Sequence, residues 1–440
     1  MNSESLRCSA LNHLWFPYTD INVIEKIDFP IIEKAEGVYL HELDGKVLLD
    51  GISSWWCVNF GHSHPKLVSS IIKQAGKLQH SILGGIAHPN VIKLAEKICK
   101  FTPDGLEHVY FAGDGASAIE AALKMSLQYW YNQGNKNKIK FICLEDGYHG
   151  DTLGAVGVGY VDTFHKYYKK VIQDSFRACS PHCSKCPYEK EHENCKLECF
   201  LSMEKLIEEH YSETAAVIVE PLCQGAGGIR IYPEEYLVRL RNLCDKYNLL
   251  LIADEIAVGF ARTGKMFACD YAGIVPDIMC IGKGMTGGYL PMSAAVSNDK
   301  IYNSFRSDNE QDRTFYHGHT FCGNPITSAV ALAALELYEE LDIIELIKPR
   351  IKQFKEGMED VGTLLNNSKI LTLGLIGSIE IDDALGGKER ALQIAAKARE
   401  LGLFIRPLGS VIYLWPPLVS SEEELNQMLS ILQSAVRLTA

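Results

Sequence analysis

The sequence predicts an α/β fold, in which a mostly parallel sheet covered by helices forms a large domain beside a smaller α+β domain. From about residue 106 onward, short apolar segments alternate with segments of helical period. The apolar segments are apolar at every position, which is typical of strands buried on both faces. One of them ends on Asp254 and another shortly before Lys283. The carboxyl ends of strands are where open α/β sheets bind their ligands, so we expect a site there.

Composition narrows the function classes. The chain has 440 residues, 47% hydrophobic content and a formal net charge of −12. Clustered Lys and Arg are absent from this acidic chain, which argues against a nucleic-acid partner. The first residues show no basic segment followed by an apolar core, and no later segment predicts a membrane span. We therefore expect a cytoplasmic protein with mostly reduced cysteines.

The elements follow in chain order. An N-terminal segment, residues 1–60, contains a predicted hairpin that turns at Asp44 and Gly45 and packs with the small domain. The large domain is predicted over 61–335, with strands in "HVYFA", "KFICLED", "AAVIVEP", "LLLIADE" and "DIMCIG" and a helix in "SAIEAALKMSLQYW". Residues 336–440 form the predicted small domain. The cysteine-rich insertion 179–199 and the polar segment 306–314 are expected to be surface loops.

The segment "GDGASAIE", residues 113–120, predicts a strand-to-helix turn. Ser117 and Glu120 have the spacing of a capping box. A helix N-terminus of this kind binds phosphate through its free amides and its dipole. An ordinary turn with no ligand is the alternative, and the motif by itself does not decide between the two. The glycine patterns of dinucleotide-binding and Walker-type loops are missing.

Asp254 and Lys283 each end a buried strand, where a charge is costly without a partner. Asp254 either forms a structural ion pair or holds a protonated heterocycle. Lys283 is either a surface residue emerging into water or a desolvated amine with a lowered pKa, which is nucleophilic toward an aldehyde. A lysine for a Schiff base, a carboxylate for a pyridine nitrogen and a helix N-terminus for a phosphate together indicate pyridoxal 5′-phosphate.

Longer motifs carry a family resemblance. The segments "IADEIAVGFARTGKMFACDYAGIVPDIMCIGKGMTGGYLP", "HGHTFCGNP", "EDGYHGDTLGA" and "VEPLCQGAGG" resemble the subgroup III aminotransferases, which are fold-type I pyridoxal-phosphate enzymes. Within them, "LWFPYTD", "GISSWWCVNFGHSHP", "LKMSLQYW" and "FIRPLGSVIYLWPP" resemble the diaminopelargonate synthases of biotin synthesis. That resemblance implies ping-pong transfer of an amino group to 7-keto-8-aminopelargonate, in a homodimer with active sites at the interface.

The resemblance also implies residue roles. Lys283 would be the Schiff-base lysine and proton carrier, Asp254 would hold the ring nitrogen, and Tyr148 would stack on the ring with Asp151 supporting the surroundings of Asp254. The phosphate would be bound by Gly115, Ala116 and, from the neighbouring subunit, His319 and Thr320. The substrate site would be lined by Tyr18, Trp55, Trp56, Tyr148, Lys283, Gly318, Arg406 and Tyr413, with Arg406 on the substrate carboxylate. Arg262 would either support the residues that contact the substrate or orient the substrate itself.

Several alternatives stay open at this point. Ala116 and His319 replace the commoner Ser and Pro beside the phosphate, and the sequence does not decide whether S-adenosylmethionine or lysine donates the amino group. Another ω-amino acid aminotransferase is an alternative function. Cys183, Cys186, Cys195 and Cys199 have spacing compatible with a structural zinc, so a zinc-stabilised, non-enzymatic interaction protein is an alternative of another class. We expect no catalytic metal. His62 and His64, in "GHSHP", are expected to be solvated or hydrogen-bonded.

Overall fold

A computed structural model describes residues 2–191, 194–307, 312–366 and 368–439. The strands are β1 Ile32–Glu36, β2 Tyr39–Glu42, β3 Val47–Asp50, β4 Leu106–Ala112, β5 Lys140–Leu144, β6 Phe176–Ala178, β7 Thr214–Val219, β8 Cys223–Gln224, β9 Arg230–Ile231, β10 Leu250–Asp254, β11 Ile278–Ile281, β12 Ser293–Asn298, β13 Ile370–Leu373, β14 Ile376–Glu380, β15 Leu403–Phe404 and β16 Val411–Leu414.

The helices are α1 Ser3–His13, α2 Ile21–Ile24, α3 Ser53–Trp56, α4 Pro65–Ala75, α5 Pro89–Phe101, α6 Gly115–Asn132, α7 Leu153–Val158, α8 Asp162–His165, α9 Phe200–His210, α10 Glu234–Lys246, α11 Cys269–Ala272, α12 Asp299–Ser304, α13 Pro325–Glu340, α14 Ile343–Thr363, α15 Gly387–Glu400 and α16 Glu422–Leu438. Short 3₁₀ turns cover Lys166–Tyr168, Lys283–Thr286 and Asp383–Leu385. Among these described helices, none is long and apolar enough to span a lipid bilayer.

The large sheet has the strand order β4-β12-β11-β10-β7-β5-β6. The pairs β11–β10, β10–β7, β7–β5 and β5–β6 are parallel, and β12 runs antiparallel to both of its neighbours. All residues of β7, β10 and β11 are buried, which is why these segments are apolar at every position. The predicted α/β fold with a mostly parallel sheet is confirmed, together with the five strands that the sequence predicted.

Helix α6 covers one face of this sheet and begins at the strand edge that carries the candidate site. Its buried positions include Ile119, Ala122 and Trp130, as the helical period predicts. The predicted capping box is wrong. The N-cap is Asp114, whose carboxylate accepts the Ser117 amide at 2.9 Å, while Glu120 accepts the amide of Gly154 at 3.0 Å. Asp114 is the better acceptor because it already stands at the last residue before the helix.

The predicted hairpin is confirmed: β2 and β3 pair antiparallel across a turn at Gly45, which has a φ of +86°. Strand β3 also pairs in parallel with β15, so the N-terminal segment shares a sheet with the C-terminal part of the chain. A second small sheet, β13-β14-β16, packs with α14. The insertion 179–199 contacts this sheet through Lys185, whose Nζ lies 2.9 Å from the Glu380 carboxylate.

The turn between β13 and β14 packs tightly against Arg262 and Thr263 at Gly374, which has a φ of +57°. A Cβ there would lie 2.4 Å from the carbonyl oxygen of Arg262 and 2.3 Å from the Thr263 carbonyl carbon. We predict that Gly374→Ala lowers the free energy of unfolding by about 3 kcal/mol or more, because backbone strain and a backbone clash combine. Urea denaturation measures the loss.

Gly273 is the matched control. Its φ is +59°, and among the described residues no atom outside its immediate chain neighbours lies within 4 Å of the position that a Cβ would take. Gly273→Ala carries only the conformational cost, about 1 kcal/mol. Equal losses for the two variants would show that the contact with Arg262 and Thr263 contributes nothing.

Candidate active site

Asp254 and Lys283 meet because two consecutive strands of the chain pair in parallel. Strand β10 ends at Asp254, and β11 brings Cys280 opposite it. Lys283 follows just beyond the end of β11. Both side chains line one cavity of about 490 Å³. The predicted meeting of a lysine and an aspartate at one sheet edge is confirmed, and their chemical roles stay predictions at this point.

The cavity is lined by residues from several segments that converge on this edge. They are Trp56, Asp114, Gly115, Ala116, Tyr148, His149, Gly150, Asp151, Thr152, Glu220, Asp254, Ile256, Ala257, Val258 and Lys283. Lys283, Asp254, Tyr148, Gly115, Ala116 and Trp56 were predicted as site residues. His149, Glu220 and the apolar wall at Ile256 and Val258 were missed.

Asp254 is 5% exposed and is held from both of its oxygens. Oδ1 accepts the amide of Ile256 at 3.1 Å, and Oδ2 lies 2.7 Å from Nδ1 of His149, which is also buried. A buried carboxylate paired in this way keeps its charge at low cost. His149 stands next to Tyr148 in "DGYHGD", so the motif was visible, but its inward direction depends on the loop conformation.

Asp151 does not support Asp254, and that expectation is wrong. Its carboxylate accepts hydrogen bonds from the hydroxyl groups of Tyr18 and, at 2.9 Å, Tyr148. The Asp151 side chain is 54% exposed, at the rim of the cavity, where His165 lies 3.5 Å away. The loop directs His149 inward and Asp151 outward, so His149 takes the position that the sequence assigned to Asp151.

The amine of Lys283 stands in an apolar, aromatic setting. Its Nζ lies 5.2 Å from the centre of the Trp56 ring. Burial holds the pKa of Lys283 below its ordinary value, against the opposing attraction of Asp254, Cys57 and Glu220. A lowered pKa makes more of the free amine available near neutral pH. The backbone of Lys283 has a φ of +43°, a strained conformation of a kind that clusters at functional sites.

The start of α6 offers free amides to an anion. Among the described contacts, the amides of Gly115 and Ala116 have no acceptor, and both residues face the cavity. Gly150 packs so closely on this turn that a Cβ there would lie 2.4 Å from the Cβ of Ala116. Free amides at the positive end of an 18-residue helix suit a phosphate.

Glu220 joins two loops of the site beneath the cavity. Its Oε2 accepts the amide of Tyr148 at 3.0 Å, and its Oε1 accepts the amide of Gly225 at 2.8 Å. Burial, with a smaller contribution from the negative charge of Asp254, raises the pKa of Glu220 to about 7, and His149 opposes the shift. In the sequence, the acidic residue that follows the apolar strand in "AAVIVEP" could have indicated Glu220 as a site residue.

The two tryptophans of the paired motif point to different places. Trp56 is 4% exposed and stacks on Trp415 with ring centres 4.8 Å apart, and its Nε1 donates to the Tyr413 hydroxyl at 3.2 Å. Tyr413 is therefore a buried support behind Trp56 and does not line the cavity. Trp55 is 44% exposed, and the Arg406 guanidinium lies 4.6 Å from its ring centre.

Tyr18, Trp55 and Arg406 form a second wall outside the cavity. Arg406 donates to the carbonyl oxygen of Tyr18 at 2.8 Å, and the Tyr18 ring lies 6.0 Å from that of Trp55 in an edge-on contact. The Tyr18 hydroxyl reaches the rim residue Asp151. The structure thus connects this wall to the rim of the cavity that holds Lys283.

The tryptophans stand on a left-handed turn. Four consecutive residues have positive φ: Ser53 +48°, Ser54 +44°, Trp55 +78° and Trp56 +73°. The left-handed conformation costs about 1–2 kcal/mol for each non-glycine residue. The Trp56 amide still donates to the Ile52 carbonyl at 2.9 Å, so the turn is a helical turn of the opposite hand. No sequence pattern indicated it.

Gly318, His319 and Thr320 lie away from the cavity. The Tyr110 hydroxyl donates to the carbonyl of the neighbouring His317 at 2.8 Å, and the His319 amide lies 3.4 Å from Sγ of Cys322. None of the three lines the cavity of its own chain. Their predicted contribution to the phosphate and substrate sites of a neighbouring subunit stays a prediction.

Arg262 is 1% exposed and does not line the Lys283 cavity. Its guanidinium donates to the carbonyls of Leu375 and Pro416 and to Oδ1 of Asn59 at 2.9 Å. Burial lowers its pKa to about 9. Of the two roles expected for Arg262, direct orientation of the substrate does not fit this position outside the cavity, whereas a supporting role behind the site stays a prediction.

The cysteine-rich insertion shows thiols without a ligating arrangement. Burial raises the pKa of Cys183 to about 11 and that of Cys199 to about 12. Within the described residues, no group of three or more His, Cys, Asp or Glu side chains is arranged to hold a metal ion. His62 is hydrogen-bonded to Asp50, as expected, whereas Nδ1 of His64 is buried and has no hydrogen-bond partner among the described residues.

Comparison with known proteins decides the family. The model of the aminotransferase class-III family matches residues 23–436. This chain belongs to the class-III aminotransferases. It is 40% identical to the adenosylmethionine-8-amino-7-oxononanoate aminotransferase of Aquifex aeolicus, over 97% of this chain and 95% of that protein, and 35% identical to its counterpart from Geobacter sulfurreducens, over 99% and 98%.

Solved structures agree. The crystal structure of the adenosylmethionine-8-amino-7-oxononanoate aminotransferase from Methanocaldococcus jannaschii matches with a TM-score of 0.93 and 36% identity over 99% of both chains. An amine transaminase from an uncultivated Pseudomonas species, in a form with bound pyridoxal phosphate, matches with a TM-score of 0.92 and 30% identity over 97% of this chain and 99% of that one. The alternative of a non-enzymatic interaction protein is therefore wrong.

Pyridoxal 5′-phosphate is the cofactor of this aminotransferase, and the residues present fit it. The free amides of Gly115 and Ala116 suit the phosphate, the charged Asp254 suits a protonated ring nitrogen, and the desolvated Lys283 suits the aldehyde. When bound, the cofactor supplies the electron sink that makes a carbon–hydrogen bond next to the amino group acidic.

We predict that Glu220 makes stability pH-dependent. A carboxyl group whose pKa is higher in the folded protein than its ordinary 4.5 stabilises the fold most at low pH, and this contribution is lost as pH rises toward about 7. Between pH 5 and pH 8, the free energy of unfolding of the wild type should fall relative to that of Glu220→Gln by up to about 3 kcal/mol. Urea titrations at both pH values measure this.

The exposed Glu234, in the first turn of α10, gives the control variant Glu234→Gln. This variant should keep the pH dependence of the wild type. A constant difference between wild type and Glu220→Gln across the range would contradict a raised pKa for Glu220.

Proposed function

We propose that this aminotransferase converts 8-amino-7-oxononanoate to 7,8-diaminononanoate, the transamination step of biotin synthesis, with S-adenosylmethionine as amino donor. The single observation that carries the proposal is the wall of Tyr18, Trp55 and Arg406 beside the Lys283 cavity. A guanidinium outside the cavity lining suits a substrate that has its carboxylate far from the reacting carbon. Relatives at 34–40% identity over nearly the whole chain carry the corresponding name.

Lys283 is the group that moves protons. Its amine is placed at the end of β11, and its lowered pKa lets it take a proton from the carbon that bears the amino group and return one to the product. The Trp56 ring and the apolar side chains of Ile256 and Val258 line the same cavity as this amine and reduce its contact with water. Low water content strengthens its interaction with Asp254.

Asp254 and His149 hold a charge in place during the reaction. The His149 contact at 2.7 Å fixes the direction of Asp254, so its second oxygen can keep a ring nitrogen protonated. Tyr148 is fixed twice, through its backbone on Glu220 and its hydroxyl on Asp151. A side chain fixed in this way gives a flat surface for an aromatic ligand.

Arg406 would bind the substrate carboxylate. The Trp55 ring and the Tyr18 carbonyl each occupy part of its guanidinium, which leaves other N–H groups free to donate in pairs. Arg406 does not line the Lys283 cavity, and this position favours a substrate whose carboxylate is remote from the reacting carbon over an α-amino acid, whose carboxylate is next to it. Another ω-amino acid aminotransferase is the runner-up function, and Arg406 with the tryptophan pair favours the first.

The proposal includes a homodimer in the cytoplasm. Gly318, His319 and Thr320 lie outside the cavity of their own chain, which supports their use in the site of a second copy. Tyr316 and Phe321 flank them and are 76% and 66% exposed, as an unpartnered subunit face would be. Sedimentation that gives a mass of 49.0 kDa instead of twice that value would contradict the dimer. Cell fractionation tests the compartment.

We predict that the purified enzyme is yellow and that Lys283→Ala is inactive, because the variant has no amine to bind the cofactor covalently or to move protons. Borohydride should remove the visible absorbance of the wild type. In a single turnover, S-adenosylmethionine should change that absorbance, and 8-amino-7-oxononanoate added next should restore it. A response to lysine instead of S-adenosylmethionine would reassign the donor, and no response to the keto acid would contradict the proposed function.

We predict that Arg406→Leu raises KM for 8-amino-7-oxononanoate about 30-fold or more, because it removes a charged hydrogen-bond donor for the carboxylate. The turnover number should change less, since Arg406 lies away from Lys283. Arg437→Leu, an exposed arginine in the last turn of α16, is the control and should leave KM unchanged. An equal loss for substrates without a carboxylate would contradict this role.

A further inference from the structure

The carboxylate of Asp50 stands directly beneath the left-handed turn that carries the two tryptophans. Asp50 ends β3 and is 0% exposed. Its Oδ1 accepts the amides of Ser54 at 2.9 Å and Ile52 at 3.3 Å, and its Oδ2 accepts the Ser54 hydroxyl at 2.7 Å. Three of its hydrogen bonds therefore go to two residues at the start of one turn.

His62 holds this carboxylate from the other side. Its Nε2 lies 2.9 Å from Oδ2 of Asp50, and within the described part of the chain it is the basic side chain that pairs with Asp50. The backbone of His62 is fixed in turn, because it exchanges hydrogen bonds with Gly37 at 2.7 and 3.1 Å. The contact with His62 therefore fixes the orientation of the Asp50 carboxylate independently of its hydrogen bonds to the turn.

The conformation of the turn decides where the tryptophans point. Residues 53–56 are strained in the left-handed region, which Ser and Trp adopt rarely. Such a conformation persists only where surrounding contacts determine it. A relaxed turn would move Trp56 away from Lys283 and Trp415 and would move Trp55 away from Arg406, since side-chain direction follows the backbone.

We propose that Asp50, backed by His62, is a positioning residue of the amino-acceptor site: it holds residues 53–56 in the left-handed turn and thereby places Trp55 against Arg406 and Trp56 against Lys283. Asp50 is fully buried and does not line the Lys283 cavity, so it acts through the two tryptophans. On the other side of the turn, the Ser53 hydroxyl donates to the Trp415 carbonyl at 2.6 Å and so also stabilises the turn. The identity of the acceptor in this inference rests on the proposed function, whereas the placing of the turn does not.

The test compares Asp50→Ala with Asp50→Asn in the holoenzyme, with 8-amino-7-oxononanoate as acceptor. Asp50→Ala removes the three hydrogen bonds that Asp50 accepts from Ile52 and Ser54. KM for the acceptor should therefore rise about tenfold while kcat falls less than about threefold. Asn keeps an oxygen for the two amides, so Asp50→Asn should stay within about threefold of the wild type in both constants. Near-ultraviolet circular dichroism should show the loss of the Trp56–Trp415 stack in Asp50→Ala only.

A second substitution separates positioning from general support. Ser54 has a φ of +44°, and glycine adopts that conformation at no steric cost. In the Asp50→Ala background, Ser54→Gly should therefore bring KM back by about threefold or more toward the wild-type value. The single variant Ser54→Gly should stay near the wild type. An unchanged KM in the double variant would overturn the inference.

Asp277 provides the matched control. It is another buried aspartate that accepts a backbone amide, from Leu251 at 2.9 Å, but it precedes β11 and so lies at the strand end away from Lys283. Asp277→Ala should lower stability without changing KM for the acceptor. Equal KM for Asp50→Ala and Asp277→Ala would overturn the inference.

Two further outcomes are distinguishable. If Asp50→Ala does not fold, His62→Ala replaces it, because it leaves the bonds from Asp50 to the turn in place; KM should then rise about threefold, and no rise would overturn the inference. If the wild type does not act on 8-amino-7-oxononanoate, the proposed function fails. The circular dichroism of the tryptophan stack still tests the turn in that case: its loss in Asp50→Ala supports the positioning role, and its retention overturns it.

Discussion

The site depends on the parallel pairing of β10 and β11, which places Asp254 and Lys283 on one edge of a buried sheet. A carboxylate and an amine at this edge lose most of their hydration, so each needs the other charge or a fixed dipole nearby. For Lys283, desolvation outweighs the attraction of Asp254, and its pKa falls. The same burial that makes the strands apolar therefore also makes the lysine a usable base and nucleophile.

Backbone groups stabilise much of the charge around this pair. Glu220 accepts hydrogen bonds from two backbone amides, and Arg262 donates to two backbone carbonyls and the Asn59 side chain. In neither of these described contact sets is the partner a side chain of opposite charge. Backbone partners fix the position of a side chain without adding a compensating charge. Burial therefore still disfavours the charged form of each group, which raises the pKa of Glu220 and lowers that of Arg262. Glu220 thereby fixes two loops of the cavity, and Arg262 fixes contacts outside it.

Two segments of the site have strained backbone conformations. Lys283 itself has a positive φ, and so do the four residues that carry the tryptophan pair. In both places a neighbouring element opposes relaxation: the Ser53 hydroxyl is bound to the Trp415 carbonyl, and the Tyr338 hydroxyl donates to the Gly284 carbonyl at 2.9 Å next to Lys283. Rigid placement of this kind reduces the cost of ordering the site when a substrate binds.

The sequence by itself determined the parallel sheet, the helix that follows "GDGA" (though not its N-cap) and the position of Asp254 and Lys283 at strand ends, because these depend on hydrophobic periodicity and on local glycine and acid signals. The motifs also determined the family and the cofactor. Only the tertiary structure decided that His149 rather than Asp151 supports Asp254, that Arg262 lies outside the Lys283 cavity, and that Asp50 lies under the tryptophan turn. These outcomes depend on loop direction and on contacts between residues far apart in the chain, such as Ser53 with Trp415, and no local pattern of residue types encodes such contacts.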